Sequence, residues 1–155
     1  MRGAAVLEKC HARKPDVPVA LVLVQTYVRH LARYNDAITV CEACLALTDD
    51  PHSKSRVYLF RGVAEAALCR STRLTEEQRM YNKKSIESLY KSYSLDPHCP
   101  QTLYHLALRL ASVGEIKKSI RLVSLTPAKK QIYLEPLNVM TPTIPATPAI
   151  PQVLT

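Results

Sequence analysis

The chain has 155 residues, which suits one small domain with tails, and 47% of its residues are hydrophobic. Its net charge of +8 is compatible with nucleic acid, a membrane surface or an acidic protein as partner, but the basic residues are scattered and form no nucleic-acid-binding module. The five cysteines lack the spacing of a disulfide framework, and no apolar run approaches the ~20 residues of a membrane span. We therefore expect a cytoplasmic protein with reduced thiols.

Residues 1–16 have a mixed basic composition without helical periodicity, which predicts an irregular N-terminal segment. From residue 17 the pattern becomes helical, and we expect the folded domain to span 17–125. The first helix places apolar residues three or four positions apart, at Leu21, Val24, Val28, Leu31 and Ala32. Asn35 and Asp36 predict the start of a second helix, which ends before Pro51.

The third predicted helix spans 55–69, and the stretch 70–80 after it is predicted to be an insertion. Within that stretch Thr75 and Gln78 have the spacing of a capping box, so the insertion is expected to extend the next helix at its N-terminal end. This fourth helix runs to Leu95, because the following Asp-Pro pair disfavours further helix. It is expected to bury Ile86, Leu89, Tyr90 and Tyr93.

A fifth helix is predicted over 100–113, beginning with Pro100 and ending at Gly114, a residue suited to a left-handed cap. A sixth helix over 115–125 carries Ile116, Ser119, Ile120 and Val123. Prolines then recur at every third position, at Pro142, Pro145, Pro148 and Pro151. This composition cannot bury a core, so residues 126–155 are predicted to be a disordered Pro/Thr-rich tail.

Small residues occupy equivalent places in the second, fourth and sixth predicted helices. Ser85 and Ser119 are 34 residues apart, whereas Ala37 and Ser85 are 48 apart, which is the same period lengthened by 14. A period of 34 is typical of the tetratricopeptide repeat (TPR), a helix pair that stacks on its neighbours. The sequence therefore predicts an all-α, TPR-like helical-repeat solenoid of about three helix pairs.

Residues 56–120 also resemble the middle of the tetratricopeptide repeat protein 7 family. That family has a V-Y-L-x-x-G helix, an inserted helical stretch, a helix that ends in S-L-x-P, and then a Y-x-L-A-L-x-L-A helix. The matching residues are Val57, Tyr58, Leu59, Gly62, Ser94, Leu95, Pro97, Tyr104, Leu106, Ala107, Leu108, Leu110 and Ala111. Members of the family are much longer, so the resemblance is to a fragment of them.

The resemblance implies a non-catalytic scaffold that helps to localise phosphatidylinositol 4-kinase (type III alpha) at the plasma membrane. The implied partners are that kinase, a lipid-anchored membrane tether and a hyccin-type subunit. The chain would be cytoplasmic and would reach the membrane only through these proteins.

The first helix of each repeat lines the concave surface of a TPR solenoid, which predicts a protein-binding groove. In the third and fifth helices the groove residues would be Arg56, Leu59, Val63, Ala66, Gln101, Tyr104, Leu108 and Ser112. A helix or an extended peptide would suit such a groove. A generic co-chaperone-like peptide clamp is an alternative, although its pattern of Lys and Asn on the concave helices is not evident.

Cys41 and Cys44 form a C-x-x-C in the middle of a helix, where both sulfurs are expected to point inward as small apolar side chains. The alternative from another class is a small zinc or redox protein, for which the nearby candidate ligands are Cys10, His11, His52 and Cys69. The sequence has no phosphate-binding glycine loop, H-E-x-x-H motif or recognisable triad, so we expect no catalytic, metal or cofactor site.

Overall fold

A computed structural model describes residues 2–125, and the predicted disordered tail lies outside the described residues. The described range contains seven α-helices, one π-helical turn and no strand, which confirms the all-α class. The helices are α1 (Arg2–Arg13), α2 (Val17–Thr26), α3 (Tyr34–Leu47), α4 (Pro51–Ser71), α5 (Thr75–Leu95), α6 (Pro100–Ser112) and α7 (Ile116–Ser124), with the π-helical turn at Tyr27–Leu31 after α2. Helices α2 and α3, α4 and α5, and α6 and α7 pack as three consecutive pairs.

The prediction of an irregular segment over residues 1–16 is wrong, because Arg2–Arg13 form α1. Only Ala4 of this helix is buried, and Leu7 packs partly buried against the core. The Glu8 carboxylate instead accepts hydrogen bonds from the Tyr27 hydroxyl at 2.6 Å and from Arg33 Nη1 at 2.7 Å. These polar contacts to distant parts of the chain attach α1 to the π-helical turn and to the residue before α3.

The α2–α3 connection also differs from the prediction. The π-helical turn is followed by Ala32, which has a left-handed φ of 51°, and α3 begins at Tyr34 with Arg33 in the N-cap position. Asn35 and Asp36 thus lie inside α3. Arg33 Nε donates to Asp36 Oδ2 at 2.6 Å, so an ion pair links the N-cap residue to the first turn of α3.

Helix α4 is longer than predicted because its N-terminus is capped. Asp50 accepts a hydrogen bond from the Ser53 backbone N–H at 2.8 Å, and Pro51 occupies the first turn, where its missing N–H costs nothing. Helix α6 also begins with a proline, and Gly114 after it has a φ of +86°, as its predicted capping role requires.

Most of the predicted insertion does extend α5, which begins at Thr75. The predicted capping box is wrong, since Leu74 is the N-cap residue and no side chain caps this end. The Gln78 side-chain amide donates to the Thr72 carbonyl oxygen at 2.8 Å, so Gln78 holds the preceding loop against the first turn of α5.

Helices α4 and α5, each 21 residues long, form the centre of the fold. They approach closely at Gly62, whose carbonyl oxygen accepts a hydrogen bond from the Ser85 hydroxyl at 2.7 Å. The core around this contact contains Leu23, Val57, Leu89, Leu103 and Leu106, all at most 2% exposed. A buried Ser92 hydroxyl bonds to Thr102 Oγ1 at 2.8 Å and joins α5 to α6.

Two outer surfaces are less buried than the sequence predicts. Tyr90, expected in the core, is 41% exposed. On α7 only Leu122 is buried, whereas Ile116 and Ile120 are more than half exposed. This last helix has no following repeat among residues 2–125 to cover its apolar side.

Candidate protein-binding site

Helix α4 contacts both α2 and α6, and the surface shared by these three helices and the π-helical turn is termed here the α2–α4–α6 face. Three predicted groove residues, Leu59, Val63 and Gln101, line one depression on it. The depression is closed by Gln25, Val28, Arg29, Phe60 and His105. Its volume is only about 20 Å³, room for about one water molecule, so the groove is shallow here.

Burial separates the floor of this face from its rim. Leu59, Val63 and Ala66 are 3%, 9% and 4% exposed, so they support the surface from beneath and offer little area to a partner. Leu108 is 37% exposed, and Tyr104 is half-buried with its ring edge-on to that of His105, 5.3 Å between centroids. Positions 101, 104, 105 and 108 share one face of α6, so these side chains form an accessible strip.

The two remaining predicted residues lie in other concavities. Arg56 borders a depression of about 330 Å³ between the N-terminal ends of α2 and α4, together with residues such as Val22 and His52. Ser112 lines a separate cleft beside α5. The structure therefore distributes the predicted groove over three surfaces, of which the α2–α4–α6 face contains most of the residues.

The α2–α4–α6 face is positively charged. Burial, together with the positive charges of Arg109, Arg70 and Arg29, lowers the pKa of His105 to about 4, so this imidazole is neutral at physiological pH. Arg29 and Arg70 are exposed, and neither forms an ion pair with a residue in the range 2–125. Such a field favours an acidic partner surface.

A further concavity was not predicted from the sequence. A cleft of about 570 Å³ lies where the N-terminal half of α5 and the C-terminal end of α4 extend past the end of α6. It exists because α4 and α5 have 21 residues each whereas α6 has 13. The sequence feature that could have indicated this cleft is Arg109, a charged residue among core positions of α6. It lies three positions after the core residue Leu106 and one before the core residue Leu110.

Cys41 and Cys44 are each 1% exposed and belong to the hydrophobic core. Burial raises the pKa of both thiols, which disfavours the thiolate that metal binding or redox exchange requires. Within residues 2–125 no group of three or more His, Cys, Asp or Glu side chains is placed to hold a metal ion.

We expect this burial to determine the order of cysteine alkylation. At about pH 8, iodoacetamide should modify the exposed Cys10 of the native protein long before Cys41 and Cys44. Peptide mass spectrometry over a time course would measure the three rates, and the same reaction in denaturant should make them similar. Fast native modification of Cys44 would contradict its assignment to the core.

Comparison with known proteins identifies the architecture. No protein-family model matches the chain, and no curated protein does so either. The crystal structure of a thermophilic TPR protein from Thermus thermophilus superposes with a TM-score of 0.68 at 19% sequence identity, over 79% of this chain. The chain has a TPR-like fold. The predicted TPR-like solenoid is thereby confirmed.

The same comparison sets the limits of what is established. This chain spans 61% of the length of the Thermus chain, and an identity of 19% shows a shared fold alone. Membership of the tetratricopeptide repeat protein 7 family stays a prediction from the sequence. No helix within residues 2–125 combines the length and apolarity needed to cross a bilayer.

Proposed function

We propose that this chain is a non-catalytic adaptor that binds a protein segment across the α2–α4–α6 face. The observation that carries the proposal is an accessible Tyr104–Leu108 strip next to two cations, Arg29 and Arg70. Both arginines lie close enough to His105 to lower its pKa, and neither has an ion pair within residues 2–125. An aromatic and an aliphatic side chain supply apolar contact area, while the cations attract and orient an acidic segment. The shallow floor favours an extended or helical segment that lies along the surface over a small ligand that needs enclosure.

We further propose that the partners are those of the tetratricopeptide repeat protein 7 family. These are phosphatidylinositol 4-kinase (type III alpha), its lipid-anchored tether and a hyccin-type subunit. Support comes from the motifs at residues 57–62 and 104–111, which lie on α4 and α6, and from the N-terminal extension of α5 at the place of that family's inserted helical stretch. The chain would be peripheral at the plasma membrane through these partners.

Leu108→Asp tests the binding face. Because Leu108 is 37% exposed, the substitution should leave the fold intact but should weaken partner binding about tenfold or more, through lost contact area and repulsion of an acidic segment. The binding constant would be measured with the full chain and purified kinase-complex subunits. Tyr104→Ala should weaken binding in the same direction.

Val6→Asp is the matched control, since Val6 is an exposed aliphatic residue of α1, far along the chain from this face. Equal affinities for the wild type, Leu108→Asp and Tyr104→Ala proteins would exclude the proposed face. Failure of the wild-type chain to bind any kinase-complex subunit would refute the proposed family role. The general adaptor proposal would then have to be tested with other protein partners.

A further inference from the structure

Helix α7 exposes a row of apolar side chains at the end of the fold. It packs mainly against α6, and Leu122 is its one buried residue. Ile116 is 51% exposed, Ile120 is 63% exposed, and Val123 is exposed as well. Positions 116, 120 and 123 are four and three residues apart, so these side chains share one face of the helix, termed here the α7 stripe. An exposed apolar row of this kind marks an interaction site.

Basic side chains flank the α7 stripe. Lys117 and Arg121 are exposed, and each follows a stripe residue by one position, ~100° further around the helix. Neither forms an ion pair with a residue in the range 2–125, whereas Lys118 is paired with Glu115 at 3.3 Å. Between Glu115 and Glu135 the sequence contains five basic residues and no acidic one. The surface beside the stripe is therefore positive, and a negatively charged partner would complement it.

This combination of apolar and basic side chains suits the surface of an acidic bilayer. An amphipathic helix lies in the plane of such a bilayer with its apolar row at the boundary between headgroups and acyl chains and its cations beside the lipid phosphates. The shape of the stripe agrees with this partner, because no residue of α7 lines any of the three concavities described above. A fluid bilayer deforms around a projecting helix, whereas a folded protein needs a matching groove for it.

Two other occupants of the stripe lack the complementary charge. A second copy of the chain would bring Lys117 and Arg121 of both copies to one interface, where like charges repel. The remaining segment of this chain, 126–155, contains Lys129 and Lys130 but only one acidic residue, Glu135. Neither occupant neutralises the cations beside the stripe, whereas anionic headgroups do.

We propose that α7 binds directly to membranes that contain anionic phospholipids. The stripe residues Ile116, Ile120 and Val123 enter the headgroup boundary, and Lys117 and Arg121 contact the anionic headgroups. The proposal does not depend on the α2–α4–α6 face or on its partners. It gives the chain a membrane contact of its own, whereas the proposed kinase complex would attach the chain only through other proteins.

Co-flotation of the full chain with lipid vesicles measures this binding. Vesicles of phosphatidylcholine with one quarter phosphatidylserine should bind the wild type at least about tenfold more tightly than vesicles of phosphatidylcholine alone, because each cation at an anionic surface contributes to binding. The affinity for the mixed vesicles should fall as the salt concentration rises. Ile120→Asp should weaken it about tenfold or more, since it places a negative charge within the apolar row. Lys117→Gln combined with Arg121→Gln should also weaken it about tenfold.

Matched substitutions elsewhere control for exposure and for net charge. Leu47→Asp alters an aliphatic residue of α3 that is 53% exposed, and Arg13→Gln combined with Lys14→Gln removes two exposed cations at the end of α1. Both controls should bind the mixed vesicles within about twofold of the wild type. Leu108→Asp should retain vesicle binding while it loses kinase-complex subunits, so failure of this proposal is distinguishable from failure of the proposed function.

Several outcomes would overturn the proposal. Equal binding of the wild type to the two kinds of vesicle would do so, as would no binding to either. An equal loss of affinity in the α7 variants and in their controls would also contradict it. A lower Tm of Ile120→Asp with unchanged vesicle binding would assign the stripe to residues 126–155. A dimer in analytical ultracentrifugation that Ile120→Asp dissociates, again with unchanged vesicle binding, would assign the stripe to a second copy.

Discussion

Gly62→Val should destabilise the domain by about 3 kcal/mol, a large fraction of the 5–15 kcal/mol typical of a small domain. A Cβ atom at Gly62 would lie 2.7 Å from Leu89 Cγ and 3.2 Å from the Ser85 carbonyl oxygen. Leu89 and Ser85 are both 0% exposed, so neither can move aside without disturbing the α4–α5 interface. The Ser85 hydroxyl would also lose its 2.7 Å hydrogen bond to the Gly62 carbonyl oxygen if the helices separated.

Urea denaturation followed by far-UV circular dichroism would measure the free energy of unfolding. Gly3→Val is the matched control, because Gly3 also lies in a helix but a Cβ atom there would meet nothing within 4 Å. We expect this control to change stability by less than about 0.5 kcal/mol. Similar denaturation midpoints for the two variants would contradict the close approach of α4 and α5 at Gly62.

The features of the fold that were predicted correctly are those that depend on nearby residues in the sequence. The 34-residue period predicted a small residue in a packed position at Ser85, and the structure shows Ser85 fully buried, with its hydroxyl donating to the Gly62 carbonyl oxygen. Leu103 and Leu106 followed from the 3.6-residue periodicity of α6, and both are buried. Pro100 and Gly114 correctly marked the two ends of that helix.

The remainder depends on contacts between residues that are distant in the chain. Helix α1 is attached through Glu8, whose partners Tyr27 and Arg33 are 19 and 25 positions away. A local pattern assigned Leu59 and Leu108 to the same groove, but only the packing of α2 and α6 determines that Leu59 forms its floor and Leu108 its rim. The cleft around Arg109 depends on the different lengths of α5 and α6, which no single helical pattern reveals.

The second large effect is expected at Glu65, a carboxylate in the core that is 1% exposed. Its Oε2 atom accepts a hydrogen bond from Ser88 Oγ at 2.7 Å, and its Oε1 atom accepts one from Arg61 Nε at 3.2 Å. Glu65→Ala should cost about 3 kcal/mol, because it opens a cavity and leaves the buried Ser88 hydroxyl without its acceptor. Arg61 is less affected, since Glu42 remains 3.3 Å from its Nη2 atom.

The pH dependence of stability provides a second readout at Glu65. Burial raises the pKa of this carboxyl, an effect that Ser88 and Arg61 only partly oppose. The native state therefore binds the proton more tightly than the unfolded state does. The stabilisation from the protonated form is complete below the unfolded pKa, about 4.3, and is lost as the pH rises through the higher folded value. Glu65→Gln removes this titration, so its stability should fall less than that of the wild type between acidic and neutral pH.

Glu42 is the matched control, because it pairs with the same arginine from a surface position where its side chain is 57% exposed. Glu42→Ala and Glu42→Gln should each change the free energy of unfolding by less than about 1 kcal/mol and should retain the wild-type pH dependence. Urea titrations of all four variants from about pH 4 to pH 8 would separate the effects of the two carboxylates on stability.

Equal destabilisation by Glu65→Ala and Glu42→Ala, or an unaltered pH dependence in Glu65→Gln, would show that the Glu65 carboxylate is not held in the core. Ser88→Ala gives an independent check. The 2.7 Å hydrogen bond from Ser88 to Glu65 predicts that this variant loses about 1 kcal/mol of stability, whereas an unchanged stability would mean that the bond does not form.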